Sequence, residues 1–237
     1  MSNDYDNITA YHYSAYRPAL HLPILECCLE EKYFEKGLDV GCGIGHSSIA
    51  LANFCNQIVG LDPSPVMLTK TIFDKKVNYL YWDAKKIPFP KFYFEIVTLA
   101  GSWYYGQSQY LLDEITRVTR SGGIVLLYDF NIVLNEVLSV LNTPKSESSY
   151  NHQINFSKFQ SKHLQEVEMK KSSMTFSITS QELAHLILAV KSYYLFLEQK
   201  WGKQAVFSKT ENNIQSYLMS TGSILTTYIY STLYQKK

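Results

Sequence analysis

Leu38-Asp39-Val40-Gly41-Cys42-Gly43-Ile44-Gly45 is the stretch that decides the fold of this 237-residue chain. The apolar run GLDV leads directly into the glycines, and HSSIALANF, which has apolar residues at helical spacing, follows them. A sharp turn from strand to helix needs residues that tolerate positive φ, and a ligand lying on the backbone needs side chains to be absent. The pattern therefore predicts a strand, a glycine-rich turn and a helix whose first amides face a ligand.

The same alternation continues from residue 37 to about residue 130. Short β-branched runs are GLDV (37–40), QIVGLD (57–62), VNYLYW (77–82), FEIVTLAG (94–101) and GGIVLLYDF (122–130). Between them, HSSIALANF (46–54), PVMLTKTIF (65–73) and SQYLLDEITRVTR (108–120) have helical spacing. This βαβα order predicts an α/β fold, a Rossmann-like and mostly parallel seven-stranded sheet with helices on both faces.

The flanking segments are less regular. Residues 1–30 predict a helical lid of one or two helices broken by Pro18 and Pro23. After the fifth strand we expect a helix at 131–142, an exposed loop NTPKSESSYNHQ (142–153) and a strand SSMTFSI (172–178). Then come one long helix at 180–200 capped by Ser180, a shorter helix ending at Gly222, and an antiparallel edge strand, ILTTYIYSTLY (224–234).

These segments predict one domain, 1–237. Its parts are a lid at 1–30, a ligand-binding core at 37–130, a cap made of an insertion and helices at 131–222, and a C-terminal edge strand at 223–235.

The glycine spacing separates two classes of ligand. A dinucleotide fold would place its third glycine at residue 46, where this chain has His46. G-x-G-x-G after an acid suits S-adenosylmethionine, whose ammonium Asp39 could balance directly or through water. Asp62, at the end of the second strand, could accept both ribose hydroxyls, and Asp83 and the Ala84 amide could bind adenine. Taken singly, a glycine turn can be structural and a strand-end acid can be a helix cap.

At these residues the sequence resembles the class I methyltransferases, and more narrowly the small-molecule group often called type 11, which includes trans-aconitate-type enzymes. The motifs are Leu38–Gly45, Val59–Leu68, Asp83-Ala84 with Ile87–Pro90, and the aromatic pair Trp103-Tyr104. The resemblance covers about the first 130 residues. It implies S-adenosylmethionine as cofactor and S-adenosylhomocysteine as product.

The resemblance also implies residue roles. Cofactor-binding positions would be Tyr13, Arg17, Asp39, Gly41, Cys42, Gly43, Gly45, Asp62, Pro63, Ser64, Met67, Asp83, Ala84, Ala100 and Gly101. The substrate pocket would include Tyr16, Trp103, Tyr104 and Tyr105. Arg17 would pair with the methionine carboxylate, with a surface arginine at a helix end as the less favoured alternative. No catalytic base is evident, and methyl transfer from a sulfonium does not require one.

Composition limits the partners. The net charge is +1 and there are only three arginines, so no basic stripe predicts nucleic-acid binding. We expect no membrane span, no secretory signal and a cytoplasmic protein that is a monomer or weak dimer. The four cysteines form no CxxC pair, so we expect buried, reduced thiols and no metal site.

The predicted function is methyl transfer to a small molecule, at the oxygen of a carboxylate or hydroxyl. A methyltransferase for RNA or protein, and a non-catalytic module that binds S-adenosylmethionine, remain alternatives.

Overall fold

The computed structural model describes residues 7–83, 85–144, 150–153 and 155–237. The helices are α1 Asn7–Ala15, α2 His21–Leu29, α3 His46–Leu51, α4 Pro65–Leu68, α5 Trp103–Gly106, α6 Gln109–Val118, α7 Asn135–Val140, α8 Ser180–Leu188, α9 Lys191–Trp201 and α10 Val206–Thr221. The strands are β1 Phe34–Val40, β2 Cys55–Asp62, β3 Val77–Tyr81, β4 Phe94–Ala100, β5 Thr119–Ile132, β6 Leu164–Ser177 and β7 Ile224–Lys236. Ala84, a predicted adenine contact, lies outside the described residues, as do residues 1–6 of the predicted lid.

The seven strands form one mixed sheet in the order β3-β2-β1-β4-β5-β7-β6, which confirms the predicted Rossmann-like α/β class. β1 pairs in parallel with β2 and β4, β2 with β3, and β4 with β5. Parallel pairing brings the carboxyl ends of these five strands to one side of the sheet, which is where open α/β sheets bind ligands.

The placement of the C-terminal strand at the edge was wrong. β7 lies between β5 and β6, and β6 takes the edge. The predicted strand at 172–178 overlaps only the second half of β6, because the first half, LQEVEMKK, lacks regular apolar alternation and is almost wholly exposed. An edge strand with little burial leaves a weak sequence signal, whereas the alternation in β7 reports a strand with a buried face.

Contacts divide the chain into two compact units. We call the first the sheet unit: Ala19–Phe130, Tyr150–Ser172 and Ile229–Lys237. The second, the helical unit, comprises Met1–Pro18, Asn131–Ser149 and Ser173–Tyr228. The sheet unit has a core of buried side chains from β1, β4, β5 and α6, closed by Trp103 and Phe156. The sequence-based division into a single domain with a lid and a cap stays a prediction.

Two predicted helices differ in extent. The segment 65–73 is helical only over Pro65–Leu68. Beyond it, the Ile72 amide donates to the Ile44 carbonyl (3.0 Å) and the Tyr79 hydroxyl donates to the Ile72 carbonyl (2.9 Å). These hydrogen bonds to the glycine turn and to β3 replace the local helical ones. Pro23 does not break α2, because it lies in the first turn, where a missing amide costs nothing.

The predicted single helix at 180–200 is two helices, α8 and α9. Val190 leaves the helical region between them (φ −93°, ψ 113°), and side chains of both helices enter the core of the helical unit. The cap is Thr179 and not Ser180: the Thr179 hydroxyl accepts from the Glu182 amide (3.3 Å), and the Glu182 carboxylate accepts from the Thr179 amide (2.8 Å).

Two further observations concern partners and thiols. No helix in the described part of the chain is long and apolar enough to cross a membrane.

Of the four free cysteines, Cys42 and Cys55 are buried, but Cys27 is exposed and Cys28 half-buried, so the expectation of four buried thiols was wrong. Consecutive residues of α2 point in different directions, and only one side of that helix is buried.

Candidate functional site

The glycine turn between β1 and α3 has three glycines with positive φ: Gly41 (75°), Gly43 (56°) and Gly45 (98°). A Cβ added to Gly41 would lie 2.3 Å from the Ser102 Cβ, and one added to Gly45 would lie 2.1 Å from the Tyr79 hydroxyl. These two glycines are therefore needed for packing. A Cβ on Gly43 would meet no atom of the described residues within 4 Å, so Gly43 faces open space that a ligand can use.

Asp39 holds this turn from inside the protein. It is fully buried, and its carboxylate accepts hydrogen bonds from the hydroxyls of Ser47 (2.6 Å), Ser48 (2.7 Å) and Thr98 (3.0 Å). Burial raises the pKa of Asp39, and the three hydroxyl donors oppose that shift. The Asp39 carboxyl group thus ties β1 to the first turn of α3 and to β4, beneath the glycines.

Asp62, at the end of β2, joins the glycine turn to α4. One carboxylate oxygen accepts from the Gly43 amide (2.8 Å), and the other accepts from the Ser64 amide (2.8 Å). Burial raises the pKa of Asp62, and these two amides lower it. Ser64 in turn caps α4 by accepting from the Met67 amide (3.3 Å). Each carboxylate oxygen keeps a second lone-pair direction, which a ribose hydroxyl could use.

These residues are close together as predicted from the motif. Pro63 connects Asp62 to Ser64, and the Met67 side chain is buried. The Cys42 thiol is buried, and burial raises its pKa well above the usual range. Cys42 is therefore a packing residue of the turn, with a thiol held protonated.

Asp83 follows β3 and is exposed. Its carboxylate pairs with the Lys85 ammonium at 3.0 Å, and this hydrogen bond is the main cause that lowers the pKa of Asp83. The preceding residue, Trp82, donates its amide to the Asp62 carbonyl (3.1 Å), which places the end of β3 beside the end of β2.

The turn that follows β4 packs closely against the end of β5 and against Tyr150. Gly101 has a φ of 70° and donates its amide to the Tyr128 carbonyl (2.8 Å). A Cβ at Gly101 would lie 3.2 Å from the Asp129 carboxylate and 3.4 Å from the Tyr150 hydroxyl. The neighbouring Ala100 is half-buried and pairs in register with Tyr128. The Ser102 hydroxyl donates to the Val40 carbonyl, so this turn is attached to the glycine turn.

A cavity of about 200 Å³ opens beside Gly101 within the sheet unit. Its lining is rich in rings and in polar groups: Leu99, Gly101, Trp103, Tyr104, Leu127, Tyr128, Asp129, Tyr150, His152, Gln153, Met169, Lys170, Lys171, Tyr230, Ser231 and Thr232. Trp103 and Tyr104 were predicted pocket residues. Tyr105 is mainly exposed and packs edge to face on Tyr104, with ring centres 5.4 Å apart.

Sequence reasoning missed most of the residues that line this cavity, among them the polar group formed by Asp129, Tyr150 and His152. One Asp129 carboxylate oxygen accepts from the Tyr150 hydroxyl (2.8 Å) and lies 2.9 Å from His152 Nδ1. Tyr150 and His152 belong to the stretch that had been predicted as an exposed loop. A signal was present for Asp129, since it is an acid near the carboxyl end of the fifth strand, three residues before β5 ends, much as Asp62 is the last residue of β2.

The predicted lid residues lie in the helical unit. The Arg17 guanidinium stacks over the Tyr13 ring, 4.4 Å from its centre. Burial raises the pKa of Tyr16 to about 12. Their assignment to the cofactor and the acceptor stays a prediction.

Comparison with solved structures defines the class of fold. A type II methyltransferase candidate from Anaeromyxobacter dehalogenans superposes with a TM-score of 0.65 at 14% identity, covering 94% of this chain and 97% of that one. A methyltransferase candidate from Bacillus halodurans C-125 gives 0.54 at 19% identity, covering 91% and 98%. At such identities the likeness shows the fold alone, which is the class I methyltransferase fold.

Sequence comparison identifies the domain. Residues 38–127 match the family model described as a methyltransferase domain. The uncharacterized methyltransferase YcgJ of Bacillus subtilis is 26% identical over 140 residues, which is 54% of this chain and 54% of that protein. Cycloartenol-C-24-methyltransferase of Arabidopsis thaliana is 31% identical over 105 residues, 40% of this chain and 31% of that protein.

Residues 38–127 are therefore similar to a methyltransferase domain and lie in a chain with the class I methyltransferase fold, and this similarity implies S-adenosylmethionine as the methyl donor. The chain spans about half the length of the first curated relatives that it matches. Gly43 meets the requirement for that donor, since it leaves open space beside its backbone and donates its amide to the Asp62 carboxylate.

Proposed function

We propose that this protein transfers the methyl group of S-adenosylmethionine to an oxygen atom of a small molecule, a hydroxyl or a carboxylate. The observation that supports this most is the joined unit of Gly43 and Asp62: an open glycine backbone next to a buried carboxylate that has lone pairs to spare. A ribose diol can donate both hydroxyls to such a carboxylate while the rest of the nucleoside lies over the glycine.

The remaining contacts follow the order of the strands. In this proposal Asp83 and Ala84 bind adenine, Ala100 and Gly101 lie along the methionine portion, and Asp39 provides a negative potential for the ammonium through the turn. Arg17 pairs with the methionine carboxylate, and Tyr13 is a further cofactor-binding residue. The sulfonium provides a good leaving group, so the protein must chiefly align the acceptor and exclude water.

The size of the cavity supports a small acceptor. At about 200 Å³ it is close to the size of an engineered cavity, about 150 Å³, that holds one benzene molecule. A protein or RNA acceptor would have to present a single protruding group. We propose a cytoplasmic protein, a monomer or weak dimer, with no nucleic-acid or membrane partner; light scattering of the purified protein tests the oligomeric state.

Titration calorimetry tests the cofactor. We expect S-adenosylmethionine and S-adenosylhomocysteine to bind and NAD not to bind. Binding of NAD alone would refute the proposal.

Transfer from methyl-labelled cofactor tests the acceptor. We expect label in the small-molecule fraction of a cell extract. Label in RNA or protein instead would indicate a macromolecule methyltransferase, and cofactor binding without transfer to any fraction would indicate a binding module.

A further inference from the structure

The cavity beside Gly101 contains a histidine and a carboxylate in direct contact, and we propose that they remove the proton from the methyl acceptor, which is a single-ring phenol. His152 is the base and Asp129 is its positioning residue. This inference rests on the proposed function, because it takes Gly101 to lie along the methionine portion of the cofactor.

The geometry of the pair suits a general base. His152 Nδ1 lies 2.9 Å from one Asp129 carboxylate oxygen, and the two side chains are 26% and 18% exposed. The other oxygen accepts from the Phe130 amide (2.8 Å), which fixes the carboxylate at the end of β5. A carboxylate that accepts from Nδ1–H leaves the imidazole lone pair on Nε2. His152 lines the cavity, and its Nε2 has no hydrogen-bond partner among the described residues.

The pair is also in the right place. The Tyr150 hydroxyl lies 2.8 Å from the Asp129 carboxylate and 3.1 Å from the Gly101 carbonyl, so one side chain bridges the pair to the β4 turn. A Cβ on Gly101 would already lie 3.2 Å from Asp129. The base therefore lies beside the part of the backbone that would face the reacting end of the cofactor.

The walls of the cavity indicate the acceptor. The Tyr104 and Tyr150 rings are 4.3 Å apart, and His152 stacks on Tyr230 with centres 6.0 Å apart and planes 16° from parallel. Aromatic walls around about 200 Å³ favour one flat ring. A carboxylate acceptor is already ionised and gains nothing from a base, whereas a phenol does.

The reaction balances without a further reactant. His152 Nε2 takes the phenolic proton while the phenol oxygen forms a bond to the methyl carbon. The carbon–sulfur bond breaks, and its electron pair stays on sulfur to give S-adenosylhomocysteine. Asp129 stabilises the imidazolium that results, and the proton leaves to solvent when the product departs.

Other charged and titratable groups surround the imidazole. From β6, Lys170 and Lys171 line the cavity, and Lys171 Nζ lies 5.3 Å from the centre of the Tyr230 ring. From β7, Tyr230 stacks on His152; from β5 comes Asp129. The lysine ammonium groups would attract an acceptor with an anionic substituent.

The first probe is 4-hydroxybenzoate, which carries a phenol and a carboxylate on one ring. We expect the methyl ether as product, identified by mass spectrometry and NMR. The methyl ester would overturn this inference and leave the proposed function standing. No transfer by protein that binds S-adenosylhomocysteine would also overturn it, whereas loss of cofactor binding would refute the proposed function itself.

The second test separates a base from a structural residue. We expect His152→Asn to lower kcat for 4-hydroxybenzoate about 100-fold or more, the usual contribution of a general base. The loss should be under about 10-fold for 4-nitrophenol in buffer where that phenol is ionised, because no proton then has to be removed. S-adenosylhomocysteine affinity should not change. Equal losses for both phenols would overturn the inference.

The matched control is His163→Asn, the same substitution at an exposed histidine that does not line the cavity. We expect it to leave both rates unchanged.

Asp129→Asn and the wild-type pH profile provide independent readouts if His152→Asn does not fold. Ether formation by the wild type should fall as pH is lowered and the imidazole becomes protonated, and Asp129→Asn should move that limb of the profile. A wild-type profile flat through the range in which imidazoles titrate would overturn the proposal.

Discussion

Replacing Gly43 by alanine should separate the binding role of the glycine turn from its structural role. The new Cβ would meet no atom of the described residues within 4 Å, so the folded protein should accommodate it. The cost is the positive φ of 56°, about 1 to 2 kcal/mol for an L-residue. In a chain of this size that lowers Tm by about 2 to 8 °C.

The same methyl group would occupy space that we assign to the cofactor. We expect affinity for S-adenosylhomocysteine to fall at least about 100-fold, or about 2.8 kcal/mol, measured by titration calorimetry. Gly43→Val should abolish binding. Circular dichroism and thermal unfolding of the same samples report the fold.

Gly122→Ala is the matched control. Gly122 has a φ of 74°, and a Cβ there would also meet no atom of the described residues within 4 Å, so the backbone cost is comparable and no cofactor contact is expected. We expect a similar loss of Tm and unchanged affinity. Unchanged affinity in Gly43→Ala would refute the reasoning, because the open space at Gly43 would then have no ligand. Gly41→Ala, whose Cβ would lie 2.3 Å from Ser102, should instead disrupt the fold.

Three further predictions follow from the contacts. Asp62→Ala should weaken S-adenosylmethionine binding by about 1.5 to 3 kcal/mol, measured by calorimetry, since it removes hydrogen bonds to a charged group. Burial, with a smaller effect from His185, lowers the pKa of His12 to about 4. In the unfolded chain His12 binds its proton near pH 6.5, whereas in the folded protein it does so only near pH 4. The free energy of unfolding should therefore fall by about 2 kcal/mol, after allowance for solvent screening, as pH is lowered from 6.5 toward about 4. His12→Gln should flatten the dependence of Tm on pH. Arg117→Ala should cost about 3 kcal/mol in urea unfolding, because it leaves the buried Glu114 carboxylate without its two hydrogen bonds from Arg117.

Each of these has an outcome that would contradict it. Unchanged S-adenosylmethionine affinity in Asp62→Ala would show that the ribose does not bind the Asp62 carboxylate. An identical dependence of Tm on pH in wild type and His12→Gln would mean that His12 titrates alike in the folded and unfolded states. Arg120→Ala is the control for Arg117→Ala, because the Arg120 side chain that pairs with Glu95 is 55% exposed. We expect it to lower the free energy of unfolding by less than about 1 kcal/mol. Equal losses in the two variants would contradict the argument from burial.

The amino-acid sequence alone determined the core of the sheet and the glycine turn. Strands with nearly continuous apolar runs, such as IVTLA (96–100) of β4 and IVLLY (124–128) of β5, carry a signal that depends only on local pattern, since both faces are covered. The positions of Gly41, Gly43 and Gly45 could be predicted because positive φ is a local requirement. Asp62 could be predicted because parallel strands bring their carboxyl ends together whatever the loops between them do.

Tertiary structure decided what depends on non-local pairing. β7 lies inside the sheet and β6 lies at its edge because β5 pairs with β7 and not with β6. The alternation of residues within a strand does not encode which strand it pairs with. The chain leaves the helical conformation at Val190, between α8 and α9, because side chains of both helices must reach one core. Asp129 and His152 are 23 residues apart in the chain, and only the tertiary fold brings the carboxylate within 2.9 Å of the imidazole. A hydrogen bond between residues so placed is a consequence of chain geometry, which no local pattern of residues carries.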